Sequence, residues 1–135
     1  LKRFVPANDP LTGTSYQVVK NLPQILQWRK GNRGFEGAAI SPDRKTLYTM
    51  LQSPASNPNA TIGNASHMIR LLAFDLESES VTAEYVYELQ PVSEFGLPYP
   101  AQQAEMKTSG MAMLDQHRLI VLERTDDVAK LYRID

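Results

Sequence analysis

The stretch FEGAAISPDRKTLYTMLQ, residues 35–52, decides the fold. Its first third is a short apolar run, and its last third is another. Between them stands Ser41-Pro42-Asp43-Arg44-Lys45. Proline presets φ for a turn, and an aspartate side chain can bond its own backbone nearby. Two apolar runs of strand length around such a turn predict an antiparallel hairpin.

The pattern returns downstream. GMAMLDQHRLIVL, residues 110–122, lies over GAAISPDRKTLYTM, residues 37–50, with one residue deleted at the turn. Asp43 then falls on Asp115, and Leu47-Tyr48-Thr49-Met50 on Leu119-Ile120-Val121-Leu122. Next, RLLAFD (70–75) falls on KLYRID (130–135). In the first unit a fourth run follows, VTAEYVYEL (81–89), where Val81, Ala83, Tyr85 and Tyr87 alternate with Thr82, Glu84, Val86 and Glu88. That is period 2 with one wetter face.

A four-stranded antiparallel unit repeated in tandem predicts an all-β fold of β-propeller blades. Blade one spans about 35–89, and a partial blade two spans 109–135. YQVVKNLP (16–23) reads as a strand, the outer strand of a preceding blade. The rival is a β-sandwich with coincidental internal similarity. Propellers close from about 4–8 blades. Residues 1–135 are therefore expected to be part of a longer propeller, or to assemble from several copies. Open blade edges would invite self-association.

The remaining segments read as connections. Residues 1–15 look irregular. Residues 24–34 read as a helical turn or a long loop, with Trp28 expected to pack. Residues 53–68 and 90–109 read as loops rich in Pro, Ser, Asn and Gly.

Composition narrows the function classes. The chain has 135 residues, 42% hydrophobic and 21% charged, with a formal net charge of −1. There is no global basic field for nucleic acid, and no apolar run approaches a membrane span. Cysteine is absent, which excludes disulfides, thiolate catalysis and Cys-ligated zinc. Two sequons, Asn59-Ala60-Thr61 and Asn64-Ala65-Ser66, count only for a secreted eukaryotic chain.

Antiparallel alternation puts the loop entering the innermost strand and the loop between strands two and three at one end of a blade. Residues 30–36, 52–68, 94–110 and 123–128 are therefore expected around one mouth. Glu36 and Glu123 are the candidate catalytic carboxylates, as calcium ligands or as a general base with a water. The alternative is that each pairs with its neighbouring arginine, Arg33 or Arg124. Those arginines are candidates to hold an anionic group bidentately, with Asn32 and Gln52 beside them. Asp126 is a third candidate metal ligand, against the reading of a plain acidic turn. Lys30 and Lys107 read as solvated surface charges. His67 lies near the mouth and His117 on the opposite side, but no Gly-x-Ser-x-Gly elbow supports a serine triad. Tyr48, Tyr85, Tyr87 and Tyr132 read as packing between blades.

The pieces Asn32-Arg33-Gly34-Phe35-Glu36-Gly37, Leu51-Gln52-Ser53-Pro54 and Val121-Leu122-Glu123-Arg124 resemble the phytase-like family, described as having esterase-like activity of phytase. The resemblance runs from about Leu22 to Asp135. It implies a β-propeller that is often exported, so secreted or periplasmic, and longer than this chain. It also implies a hydrolase of phosphate or carboxylate esters acting on a small anionic ester, while the carboxylates of Glu36, Glu123 and Asp126 make Ca2+ the candidate cofactor. Two positions depart from the family pattern. Arg44 replaces a commoner glycine, and Lys107-Thr108-Ser109 lacks a carboxylate common before the second inner strand. The residues alone leave a non-catalytic propeller, binding a small ligand or a protein, as the other reading.

Overall fold

A computed structural model describes residues 2–6, 14–18 and 22–135, the first two spans as backbone only. It is an all-β architecture with very little helix. Strands β1 (Lys2–Pro6) and β2 (Thr14–Val18) pair antiparallel as a small two-stranded sheet. The strand expected over 16–23 thus begins earlier and pairs with a segment that reads as irregular. Residues 19–21 of that expected strand lie outside the described residues.

The second sheet holds β3 (Phe35–Ile40), β4 (Thr46–Leu51), β5 (Met68–Asp75) and β6 (Ser80–Glu88), in that order. The third holds β7 (Lys107–Met113), β8 (Leu119–Arg124) and β9 (Ala129–Ile134). Every neighbouring pair is antiparallel. Register runs alike in both sheets: Gly37 faces Met50 and Gly110 faces Leu122, while Leu47 faces Phe74 and Leu119 faces Ile134.

The two hairpin turns share one device. Asp43 Oδ1 accepts the Lys45 N–H at 3.1 Å, and Asp115 Oδ1 accepts the His117 N–H at 2.9 Å. In the first turn Asp43 also accepts the Ser41 hydroxyl, 2.6 Å. In the second, Arg118 closes on Asp115 through Nε, also 2.6 Å. Each holds its carboxylate below the usual carboxylate range, Asp115 at about 2, chiefly through side-chain hydrogen bonds from Ser41 and Arg118 respectively.

The two larger sheets meet through their first strands, β3 against β7. Glycine makes the approach close: a Cβ on Gly37 would stand 3.2 Å from Met111 Cβ. Met50, Leu51, Ile69, Leu72, Leu89, Met106 and Val121 fill the core. Full burial of each such side chain stabilises by about 2 kcal/mol. Tyr87 is buried, Tyr48 and Tyr132 are partly buried against this core, and Tyr85 is exposed.

The connections carry more order than their composition suggests. Residues Ala60–Ala65 form a short helix, α1, inside the expected loop 53–68. Asn59 caps it, its side chain accepting the Ile62 N–H at 3.0 Å. The segment 90–109 contains two 3-10 turns, Val92–Phe95 and Gln103–Glu105, and contributes Phe95 and Met106 to the core. Gln24–Trp28 is a third 3-10 turn, yet Trp28 remains 47% exposed rather than packed.

Candidate functional site

The site is built at the ends of β3 and β7, where each strand carries a bulge. Register shifts between Phe35 and Gly37 in one sheet and between Thr108 and Gly110 in the other. The inserted residues are therefore Glu36 and Ser109. A bulge re-aims the inserted side chain and often marks a functional edge. Glu36 is exposed at this position.

Glu36 and Glu123 are not at equivalent positions. Glu36 corresponds to Ser109, whereas Glu123, opposite Thr108 on β8, corresponds to Leu51, opposite Phe35 on β4. Glu123 is fully buried. It accepts the Tyr87 hydroxyl on Oε1 and the Gln90 N–H on Oε2, the latter at 3.0 Å. Burial raises its pKa, partly offset by those two hydrogen bonds. The same burial, with Glu123 beside it, pushes the Tyr87 hydroxyl up. Glu123 thus fastens the third sheet to the outer strand of the second and to the residues that follow that strand.

The arginines also stand elsewhere than beside their neighbouring glutamates. Arg33 Nη1 donates to the carbonyls of Ala104 (3.1 Å) and Met106 (3.5 Å). Arg124 donates from Nε to Ser109 Oγ (2.7 Å), and from Nη1 to the Thr125 carbonyl (3.0 Å) and Asp126 Oδ1 (3.1 Å). Lys107 Nζ meets the same Asp126 oxygen at 2.6 Å, and its side chain is only 14% exposed. Lys107 is therefore not a free surface charge. Its ammonium and the Arg124 guanidinium hold the Asp126 carboxyl below its usual range, Lys107 contributing most.

Backbone bonds lock this corner together. Gln52 N–H donates to the Gly34 carbonyl and Thr108 N–H to the Gln52 carbonyl, at 2.8 and 2.9 Å. The Thr108 hydroxyl donates to the Leu51 carbonyl at 2.9 Å. Gln52 is buried, so its backbone joins the sheets here. Asn32 is exposed and takes a left-handed conformation, φ 54°, in the turn closed by Arg33 N–H to the Lys30 carbonyl at 3.1 Å.

Lys30, Arg33, Lys107, Asp126, Arg124, Ser109 and Glu36 thus share one end of β3 and β7. No group of three or more His, Asp or Glu side chains suited to a metal ion forms among the described residues. Glu123 has both oxygens engaged and Asp126 is spent on two cations, so the expected trio with Glu36 does not fit a calcium site. Ser109 enters the sequence reading only as a hydroxyl near His67 and as part of a departure from the family pattern, and its bond to Arg124 was not foreseen. Its signal was its place before Gly110, matching Glu36 before Gly37.

The family model for the phytase-like family, described as esterase-like activity of phytase, matches residues 4–135. The chain belongs to this family. An "Uncharacterized secreted protein" of Arthroderma benhamiae, strain ATCC MYA-4681 / CBS 112371, is 38% identical over 88 residues. That match covers 64% of this chain and 17% of the relative, so the chain corresponds to a small part of the relative's length. No solved structure matches. Among the described residues, no helix is long and apolar enough to cross a membrane.

Proposed function

We propose that this chain is a two-blade portion of a β-propeller hydrolase acting on small anionic phosphate or carboxylate esters, exported from the cell. The observation that carries it is the cationic mouth. Four cations, Lys30, Arg33, Lys107 and Arg124, gather where the bulge on β3 presents the exposed Glu36. Membership of the phytase-like family supports the reaction class, and the secreted relative supports export. Matching strand order and register in the two larger sheets, with glycine at the β3–β7 approach, support the blades.

In this reading the Arg33 guanidinium holds the anion, and the surrounding cations offset charge that builds as the ester is attacked. Glu36 accepts a proton from water as the water oxygen bonds to phosphorus or to the carbonyl carbon. The ester C–O or P–O bond then breaks, and the alcohol leaves with a proton. Calcium needs ligands from elsewhere in a longer protein, and no step here is routed through it.

The test is Glu36→Gln in the full-length protein, assayed on nitrophenyl phosphate and nitrophenyl acetate. Loss of turnover by about a hundredfold or more, with the fold retained, is the expected result. Unchanged turnover overturns the catalytic role. One observation favours the second reading, a binding propeller without catalysis: Glu123, the other expected catalytic carboxylate, is buried against Tyr87 and Gln90. That reading predicts saturable anion binding and no turnover.

A further inference from the structure

The mouth holds two kinds of cation. Lys107 and Arg124 share the Asp126 carboxylate, at 2.6 and 3.1 Å, so their charge is partly answered. Lys30 and Arg33 stand at the two ends of a single turn and have no carboxylate partner among the described residues. Both donate to carbonyl oxygens instead. Lys30 Nζ reaches the Gly63 carbonyl of α1 at 3.3 Å, and Arg33 Nη1 reaches Ala104 and Met106. Carbonyls orient these side chains and leave their charge unneutralised.

The hydrogen bonds also decide which edge is offered. Arg33 is pinned through Nη1, and its Nε–Nη2 edge, the edge that meets an oxyanion with two parallel bonds, has no partner among the described residues. Burial and the neighbouring Arg33 charge both lower the pKa of Lys30, as expected for cations held close with no counter-charge. Lys30 is thus not the solvated surface charge its sequence context suggests.

A third observation is independent of charge. Ser53 is 2% exposed, and its hydroxyl has no hydrogen-bond partner among the described residues. A buried unsatisfied hydroxyl is costly and calls for a ligand or a water. Gln52 N–H to the Gly34 carbonyl and Ser56 N–H to the Trp28 carbonyl, both 2.8 Å, pin residues 52–56 along 28–34. Ser53 therefore stands beside the Lys30–Arg33 turn. Its counterpart Thr125 spends its hydroxyl on the Asp127 and Val128 N–H groups, which close a short loop. The longer loop after Ser53 makes no such use of its hydroxyl.

We infer that Lys30, Arg33 and Ser53 form a phosphoryl-binding subsite, separate from Arg124. This rests on the anion-binding reading of the mouth. Two unanswered cations match the double charge of a phosphate monoester better than the single charge of a carboxylate. Arg124 then has a supporting place, held by Ser109 and Asp126.

The test is calorimetric titration of the chain at low salt with inorganic phosphate and, separately, with acetate. Arg33 anchors the entry to β7, so its variants risk unfolding, and Lys30→Gln and Ser53→Ala are the informative changes. Phosphate should bind more tightly than acetate. Lys30→Gln should weaken phosphate by about tenfold, Ser53→Ala by a few-fold, and Arg124→Gln by less than about twofold. Arg124→Gln abolishing phosphate binding while Lys30→Gln does nothing overturns the subsite and leaves the anion-binding mouth standing. Equal affinity for acetate overturns the phosphoryl assignment. Saturation by neither ion overturns both the subsite and the mouth reading.

Discussion

The sheet β3–β6 and the sheet β7–β9 share a strand order and a register but not a chemistry. Where β4 has the buried Leu51, β8 has the buried Glu123. Where β3 presents Glu36 at its bulge, β7 presents Ser109, and the following strands continue as Gln52 and Arg124. Backbone geometry is thus indifferent to residue type at these positions. What differs is how each side chain is satisfied. Leu51 needs only apolar neighbours, whereas Glu123 needs two donors, which Tyr87 of β6 and Gln90 just after it supply.

Substitutions at equivalent positions sharpen this contrast. The largest effect is expected at Leu51→Ala, about 3 kcal/mol of lost stability, because the site is fully enclosed. Glu123→Ala should follow at about 2–3 kcal/mol, since it strands the Tyr87 hydroxyl and the Gln90 N–H. Glu123→Gln can still accept one bond and donate the other while removing a buried charge. It should match or exceed the parent at neutral pH. Denaturant unfolding measures all three, and a Glu123→Gln loss as large as that of Glu123→Ala would show that the charge itself holds the sheets together.

The glycines offer the next comparison. Gly37→Ala should cost about 1–2 kcal/mol, as its Cβ meets Met111 Cβ at 3.2 Å. Gly110→Ala should be nearly neutral, the nearest atom being Leu122 Cβ at 3.8 Å. Thermal unfolding of the pair reads the difference. Equal effects would mean that β3 and β7 do not approach at Gly37.

Two pH effects are smaller, and their signs are opposite. Folding raises the Glu123 pKa, so its contribution is full below the ordinary carboxylate pKa and is lost as pH rises through the raised value. Folding lowers the Asp115 pKa to about 2, so its contribution is full above the ordinary value and is lost as pH falls towards 2. Stability measured against pH should lose the first dependence in Glu123→Gln and the second in Asp115→Asn. Persistence of the first slope in Glu123→Gln would assign it to another group.

Strands β3 to β9, both Asp turns and the pairing of the two units were legible in the sequence. Period-2 alternation, turn residues and repeat spacing are local properties, written within a few residues of where they act. The placement of Lys30, Arg33, Asn32, Glu36 and Arg124 near one end of the sheets followed from the same alternation. Helix α1 was hidden because a six-residue helix inside a polar segment leaves no periodic apolar stripe. The β1–β2 pairing and the buried roles of Phe95 and Met106 were hidden in proline-rich context.

Strand order and the equivalence of Asp43 with Asp115 are written locally in the residues, because hydrogen-bonded ladders and tight turns depend on neighbours along the chain. Tertiary structure alone decided which charges are answered. Whether Glu123 faces water or Tyr87, and whether Lys30 meets a carboxylate or a carbonyl, depends on groups 33 to 36 residues away. Desolvation and Coulomb energy act through space, and only the packing of the sheets sets those distances.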